Sequence, residues 1–463
     1  MIPPPPSPLA IQKSLGIKHR SNEDTKKRTD PNKPKKLTFN KIDVDRLLSK
    51  DLREYFKDEQ EANEAHKAVT SLQQGNSITT QIQTYIEPLQ RCAIDMDSSP
   101  STRRIFSQLN LNTETGRLSS QKPNLQNQPI VHDKYHLRQA FRTDPNKKLI
   151  VADYSQLELR VLAYLSNCKY MLNAFQSGGD FHSRTAVSLF PAIEKEVKEG
   201  KLFIDESHRA QSTSPNKDSI PLLKAKFSKE RHHAKTIAFG IAYGSSPLRV
   251  MRECRLSMDE ANALLSSWYK DRPEVKAWQN QTLLQAIQKG KCFTILQRPR
   301  NLFQFPVPKS NEKNNELLQN FFPLLADSRT REKFLSRCLK KKNIDISEEW
   351  YRFYRYDIKK SDTVLKPSHF SQLMRKAMNT PIQGTAADIV VQAMLNIWND
   401  SQIQKLGFQL VLQVHDELIL EGPQENAQQA ANLVVQHMQK PWDADLYFHV
   451  DIKIVDSWYN AKS

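Results

Sequence analysis

Two short segments, far apart in the chain, each run from apolar residues to a carboxylate: KLIVADYSQLELR around Asp153 and LVLQVHDELIL around Asp416. The first reads as a buried strand, Leu149 to Ala152, that presents Asp153 at its tip. In the second, Phe408, Leu410, Leu412 and Val414 alternate on one face, and the pattern resumes at Leu418 and Leu420. That spacing predicts a hairpin with His415, Asp416 and Glu417 at its turn. Neighbouring strand ends that pair two carboxylates can hold two divalent cations roughly 3.5–4 Å apart, which suits in-line displacement at phosphorus. A fold that honours both segments must bring these strands together in one sheet.

A third segment supplies what such a site needs next. In RHHAKTIAFGIAYG, Arg231, Lys235, Phe239 and Tyr243 recur every fourth residue, so a helix sets them in one slowly winding stripe. Two cations lead the stripe and suit a triphosphate, whose leaving group must be neutralised. Two aromatics end it and offer flat surfaces to a sugar and a base. Taken alone, the segment could equally be an amphipathic helix with a solvated basic edge. Beside the paired carboxylates, the nucleotide reading is preferred.

Composition agrees with a phosphate-rich partner. The chain has 463 residues, a formal net charge of +17 and a sequence pI near 9.5. Such an excess of Lys and Arg favours polyanions, because neutralising phosphates releases condensed counterions. At about 150 residues per domain, the length predicts two to four units. No apolar run approaches the ~18 residues of a membrane helix, so no membrane partner is expected. The cysteines, Cys92, Cys168, Cys254, Cys292 and Cys338, are scattered, without zinc spacing or a disulfide framework.

Along the chain, residues 1–40 combine PPPPSP with a lysine-rich polar run and are expected to be disordered. Glu23, Asp24 and Asp30 set this stretch apart from acid-poor transit peptides. From 58 to 91 the apolar residues fall at helical spacing, and Gly75-Asn76 is expected to break them into a helical hairpin. LSMDEANALLSSWYKDRPEVKAWQNQTLLQAIQKG is the clearest long helical stretch. Asn379-Thr380-Pro381 is expected to break one helix before QGTAADIVVQAMLNIW starts another, with Ile389, Ala393 and Ile397 on its apolar face. In residues 307–369, Trp350, Tyr351, Phe353, Tyr354 and Tyr356 interleave with Arg352, Arg355, Lys359 and Lys360. Either they stack single-stranded nucleic acid, or they fill the core of a small packed insert.

With these residues in view, the chain resembles the polymerase domain of family A DNA polymerases. VADYSQLELR, RHHAKTIAFGIAYG and QVHDE look like that family's three polymerase motifs, in the family's order. The resemblance extends to TETGRLSSQKPNLQNQP (Thr113–Pro129), GGDFHSRTA (Gly178–Ala186) and RKAMNTPIQGTAAD (Arg375–Asp388). Finer wording is most similar to the organellar DNA polymerases of plants and protists. One departure is QRPR at Gln297–Arg300, where the family usually has a glycine followed by arginines.

The resemblance implies an α+β right-hand polymerase, with an antiparallel palm sheet, helical fingers and a shortened helical thumb. The expected boundaries are a tail at 1–40, partial thumb at 41–105, palm at 106–182, fingers at 183–306, insertion at 307–369 and second palm half at 370–463. It implies two Mg2+ ions on Asp153, Asp416 and the Tyr154 carbonyl, with Glu417 acting electrostatically. Lys235 would also protonate the leaving group. His182, Gln156 and Glu158 would join Arg231, Lys235, Phe239 and Tyr243 around the nucleotide, Glu158 as a steric gate against a 2′-hydroxyl. If not a gate, Glu158 is expected to pair with Arg160 or Arg231. Arg117, Asn124 and Gln126 would touch the primer duplex, Arg375, Asn379 and Gln383 the template, and Gln413 with His415 the primer end.

The expected protein is a monomeric DNA polymerase taking primer-template DNA and deoxynucleoside triphosphates, with no proofreading exonuclease in this chain. A mitochondrion or plastid is expected from the resemblance, with nucleus and cytoplasm left open. Two other readings stand beside it: a single-subunit RNA polymerase, and a truncated DNA-binding protein without activity. Glu158 argues against the first, and the full set Asp153, Asp416, Arg231 and Lys235 against the second.

Overall fold

The computed structural model describes residues 58–96, 99–129, 135–214, 216–244, 247–302, 328–340, 345–353, 367–442 and 448–461. The chain divides into two compact units, Met1–Phe106 and Ser107–Ser463. The expected disorder over 1–40 lies outside the described residues. No described helix is long and apolar enough to cross a membrane.

The first unit holds α1 (Glu59–Gln81), a π-turn (Ile82–Ile86), α2 (Glu87–Cys92) and the antiparallel strands β1 (Ala93–Met96) and β2 (Ser99–Ile105). Asp58 caps α1 by accepting the Gln60 amide. The expected break at Gly75-Asn76 does not occur, and α1 runs through it. A lone glycine costs a helix about 1 kcal/mol, which the turns on either side outweigh. Thr79 and Thr80 also donate to the Gly75 and Asn76 carbonyls at 2.9 and 2.8 Å.

In the second unit, β3 (Gln108–Asn110) and β4 (Ser119–Gln121) form a small hairpin. The main sheet is antiparallel throughout, in the order β10 (Val450–Val455), β5 (Lys147–Tyr154), β9 (Glu417–Pro423), β8 (Gln409–Val414). Its two faces follow from period-two alternation. Ile150, Ala152, Tyr154, Leu418 and Leu420 join the large helical core. Leu149, Val151, Ile419 and Trp458 form a smaller cluster on the opposite face. The α+β architecture with an antiparallel sheet agrees with the expectation.

The strand β8 corrects the one-face reading of its apolar residues. Phe408 and Leu410 belong to the large core, whereas Leu412 and Val414 join the opposite cluster. The register with β9 shifts between Leu410 and Leu412. This bulge inserts Val411 and turns the following residues onto the other face. Without it, Val414 would point away from the surface that carries Asp153.

The helices that cover the large core include α3 (Leu157–Ser166), α4 (Phe181–Leu189) and α6 (Ser228–Ala242), and the short α5 (Glu206–Ala210), with no buried residue, lies between α4 and α6 in the chain. The long stretch from Leu256 is two helices, α7 (Met258–Lys270) and α8 (Pro273–Lys289). Ser257 and Glu260 form a capping box on α7, and Pro273 opens α8 at the position proline tolerates. The strands β6 (Lys291–Phe293) and β7 (Pro299–Asn301) follow.

Within residues 307–369, α9 (Ser328–Leu339) and α10 (Ile346–Phe353) bury Phe334, Cys338, Ile346 and Phe353 against Leu283, Ala286 and Ile287 of α8. Phe353 is therefore a core residue, as the packed-insert reading expects. The side chains of Trp350, Tyr351, Tyr354 and Tyr356 lie outside the described residues. The helix α11 (Pro367–Asn379) does not break at Pro381. It passes through a π-turn, Thr380–Gly384, straight into α12 (Thr385–Asn399). Proline has no amide to donate and crowds the carbonyl one turn back; the wider turn accommodates both, and α13 (Ala427–Gln439) then packs on α12.

Candidate active site

Asp153 is the penultimate residue of β5, one step inside the strand rather than beyond its tip. The register sets Asp451 of β10 and Glu417 of β9 opposite it, one on each side. Three carboxylates thus share the face of Leu149, Val151 and Ile419. Asp416 sits in the two-residue turn between β8 and β9, where His415 has φ 55°. The Tyr154 amide donates to the Asp416 carbonyl at 3.1 Å, which ties this turn to the end of β5. Burial pushes the Asp416 carboxyl up from its usual range, and the nearby Asp153 adds to this while Arg117 opposes it. Anions forced together in this way call for a cation.

The donor set fits a hard divalent ion. Two carboxylates and backbone carbonyls are oxygen ligands of the kind magnesium takes, with water and substrate phosphates completing its shell. Among the described residues no three His, Cys, Asp or Glu side chains group to hold a metal by themselves. The Tyr154 side chain is committed elsewhere: its hydroxyl donates to Met438 O at 2.7 Å and its ring meets Phe448 edge-on. Only its carbonyl is left for a metal.

Glu417 is buried and held by Trp458, whose indole donates to its Oε1 at 2.5 Å. The Arg138 guanidinium stacks over the Trp458 ring at 3.9 Å and donates to Pro129 O and Gln128 O. Burial lowers the Arg138 pKa, and the charges of Glu417 and Asp153 work against that. Sequence reasoning singled out neither Trp458 nor Arg138. A tryptophan just past the last strand, in VDSWY, was the available signal.

The stripe on α6 is present. Arg231, Lys235 and Phe239 lie on the helix and Tyr243 is its C-cap, with the two rings stacked at 6.2 Å. His182 comes up against Phe239 at 5.8 Å from α4, which packs along α6. Burial lowers the His182 pKa to about 4, with Asp180 opposing and Arg231 and Lys235 adding to the fall. At neutral pH it is therefore an uncharged imidazole with a buried, unpartnered Nδ1. Arg231 Nε donates to Asp180 Oδ2 at 2.5 Å. Burial works to raise the Asp180 pKa, but hydrogen bonds from Arg231 and Ser183 prevail and hold it below the usual range.

The His182 shift has a measurable consequence. Between pH 6.5 and 4 the unfolded chain takes up a proton that the folded site refuses, so stability falls as pH falls through that window. By pH 5 the loss from this group is about 2 kcal/mol. His182→Gln should flatten the decline in urea midpoint between pH 7 and pH 5. An equally steep decline in the variant would rule this group out as its source.

Glu158 stands in the first turn of α3, and Tyr154 to Gln156 separate that helix from Asp153. Gln156 is the N-cap in a left-handed conformation (φ 56°), and its side-chain oxygen is buried without a partner. Glu158 is buried and paired with Arg117, not with Arg160 or Arg231. Arg160 instead donates to Ser155 O, and Arg231 to Asp180. Burial raises the Glu158 pKa, Arg117 lowers it and Asp416 raises it again. Arg117 also lies 3.7 Å from Asp416, so one guanidinium joins the gate candidate to the metal-site candidate.

Gln126, Gln413 and His415 are brought together. Gln126 Nε2 donates to Gln413 Oε1 at 2.7 Å, Gln413 Nε2 to His415 O at 2.5 Å, and Asn124 Oδ1 accepts the Gln126 amide at 3.0 Å. Arg375 and Asn379 lie on α11 and Gln383 in the π-turn, on a different element from that chain. Gly116, Arg117, Val390 of α12, Gln413, His415 and Asp416 line one small recess.

The QRPR departure keeps its turn. Gln297 takes the left-handed conformation (φ 61°) that favours glycine. Arg298 donates to Asp388, Thr115 O and Gly384 O at 2.8–3.1 Å, tying the loop that carries Arg117 to the π-turn that carries Gln383. Arg300 donates to Thr380 and pairs with Glu114. Both arginines find partners within the chain.

The chain is 38% identical over 404 residues to "DNA polymerase I A, chloroplastic/mitochondrial" of Arabidopsis thaliana, covering 86% of this chain and 32% of that protein. It is 37% identical to "DNA polymerase I B, mitochondrial" of Oryza sativa (86% and 33%). With "DNA polymerase I, thermostable" of Thermus thermophilus the identity is 30% (86% and 37%). The chain thus spans about a third of the length of these relatives. The polymerase domain of Pol1 from M. smegmatis, solved with DNA primer-template and dNTP, superposes with a TM-score of 0.62 at 22% identity, over 98% of this chain and 64% of that one. The fold is accordingly that of the right-hand polymerases. The model of DNA polymerase family A matches residues 27–201 and 219–460, most of the molecule, and the chain belongs to that family.

Proposed function

We propose that this chain adds deoxynucleoside triphosphates to a primer 3′ end under the direction of a DNA template, with two Mg2+ ions as cofactor. The observation that carries the reading is the hydrogen bond from Tyr154 N to Asp416 O, which brings Asp153 and Asp416 to one place. The helix α3 that follows β5 packs against α6 with Arg231 and Lys235. Bound divalent ions would lower the pKa of the primer hydroxyl and offset the charge that builds on the phosphate in the transition state.

The rest falls to the protein. Asp153, Asp416 and the Tyr154 carbonyl would hold the ions, and Glu417, fixed by Trp458, adds negative charge beside them. Arg231 and Lys235 bind the triphosphate, and Lys235 passes its proton to the departing pyrophosphate. Neutral His182 contacts the same phosphates as a hydrogen-bond partner. Phe239, Tyr243, Gln156 and Glu158 enclose the sugar and base. Arg117, Asn124, Gln126, Gln413 and His415 face the primer duplex, and Arg375, Asn379 and Gln383 the template. Minor-groove acceptors are common to all base pairs, so such donors check duplex shape without reading sequence.

The proposed protein acts as a monomer in replication or repair, in a mitochondrion or plastid like the plant relatives. Purified chain, primer-template, Mg2+ and the four deoxynucleotides should give template-directed extension. A failure to extend while DNA is bound would leave the non-catalytic reading standing. Given a mismatched primer and no nucleotides, the chain should not trim it; metal-dependent trimming would reveal an editing site.

A further inference from the structure

The family match leaves out residues 202–218, yet this segment is anchored to the rest of the second unit. Leu202 is part of the large core. Phe203 is bridged to Leu222, with Phe203 N donating to Pro221 O and Leu223 N to Phe203 O. Arg209 donates to Ile220 O at 2.9 Å. Closed at its base in this way, the segment carries one buried acid, Asp205.

The two oxygens of Asp205 do different work. Oδ1 accepts the His208 amide at 2.9 Å and caps the short helix α5. Oδ2 reaches outside the segment and accepts the Asp180 amide at 3.0 Å, with Arg184 at 3.8 Å. Gly179, at φ 83°, lies so close that a Cβ there would overlap the Asp205 carboxylate. Asp180 in turn receives Arg231 through Nε rather than the terminal nitrogens.

We propose that Asp205 is a positioning residue for the incoming nucleotide. It fixes the Gly178–Asp180 turn, so that Asp180 holds Arg231 by Nε and leaves the terminal guanidinium nitrogens to the triphosphate. The segment is then part of the nucleotide site, acting through the Asp205 carboxylate on the Asp180 amide and the Asp180 carboxylate on Arg231. This rests on the reading of Arg231 as a triphosphate ligand.

The test measures deoxynucleotide affinity by single-turnover incorporation, with inhibition by pyrophosphate as a second readout. Asp205→Ala frees the turn, and a guanidinium displaced by a fraction of an ångström should weaken affinity about tenfold. The maximal rate should change far less, and the Kd for primer-template not at all. Asp205→Asn keeps one acceptor where two are needed, so its affinity should fall between Asp205→Ala and the parent. A folded Asp205→Ala protein with parental nucleotide affinity would overturn the proposal. Should that variant fail to fold, parental affinity in Asp205→Asn would do so instead. Arg231→Ala is the reference: if it weakens nucleotide binding and the Asp205 variants do not, only the role of Asp205 falls. If none of them weakens it, the assignment of Arg231 falls as well.

Discussion

Replacing Asp153 or Asp416 with alanine should lower nucleotide incorporation by at least about 10³-fold, the equivalent of about 4 kcal/mol of transition-state stabilisation. Asp153 comes from β5 and Asp416 from the turn between β8 and β9, and they meet only through the pairing of β5 with β9 and the bond from Tyr154 N to Asp416 O. Neither can stand in for the other. Both variants should fold and bind primer-template, because Asp416 lies in a turn and neither side chain fills the core. Asp416→Asn should moreover raise the Tm of the metal-free protein, since burial and the nearby Asp153 both oppose its charge. Single-turnover extension decides the first point and thermal unfolding the second. Near-parental extension by either alanine variant would remove these residues from the mechanism.

The other large effect concerns sugar choice. Glu158 is buried beside Asp416 and paired with Arg117. If it borders the incoming sugar, a 2′-hydroxyl must displace that pairing or collide with the carboxylate. Discrimination built on leaving a buried polar group unpaired can reach roughly 10⁴. Glu158→Ala should therefore raise ribonucleotide incorporation relative to deoxyribonucleotide by orders of magnitude. It also releases Arg117, so the overall rate should fall too. Glu158→Gln separates the two effects: it keeps the bulk of the side chain and an acceptor for Arg117, and should preserve most of the discrimination. An unchanged sugar ratio in Glu158→Ala, or a parent that accepts both sugars equally, would reject the gate and reopen the RNA polymerase reading.

Several of these residues were legible because their spacing is local. The four-residue repeat of Arg231, Lys235, Phe239 and Tyr243 needs only a helix, and α6 delivers it. The run Leu149 to Ala152 needs only a strand buried on both faces, and β5 is that strand. Local breakers were the weak point. Gly75 and Pro381 both read as stops, and neither stops its helix. The penalty at each is smaller than what the flanking turns and packing return.

The sequence by itself determined the strands β5, β8 and β9 that set the acids in place and the cationic–aromatic helix, because each is written in periodicity and residue type within one short segment. Only the tertiary structure decided the partners. The bulge at Val411 turns Val414 onto the face of Asp153, Arg117 joins Glu158 to Asp416, and Trp458 with Arg138 fixes Glu417. Asp205 reaches Asp180 from a segment that carries no motif. Hydrogen bonds and ion pairs between residues remote in sequence depend on distance and direction in the folded chain, and no periodicity records either.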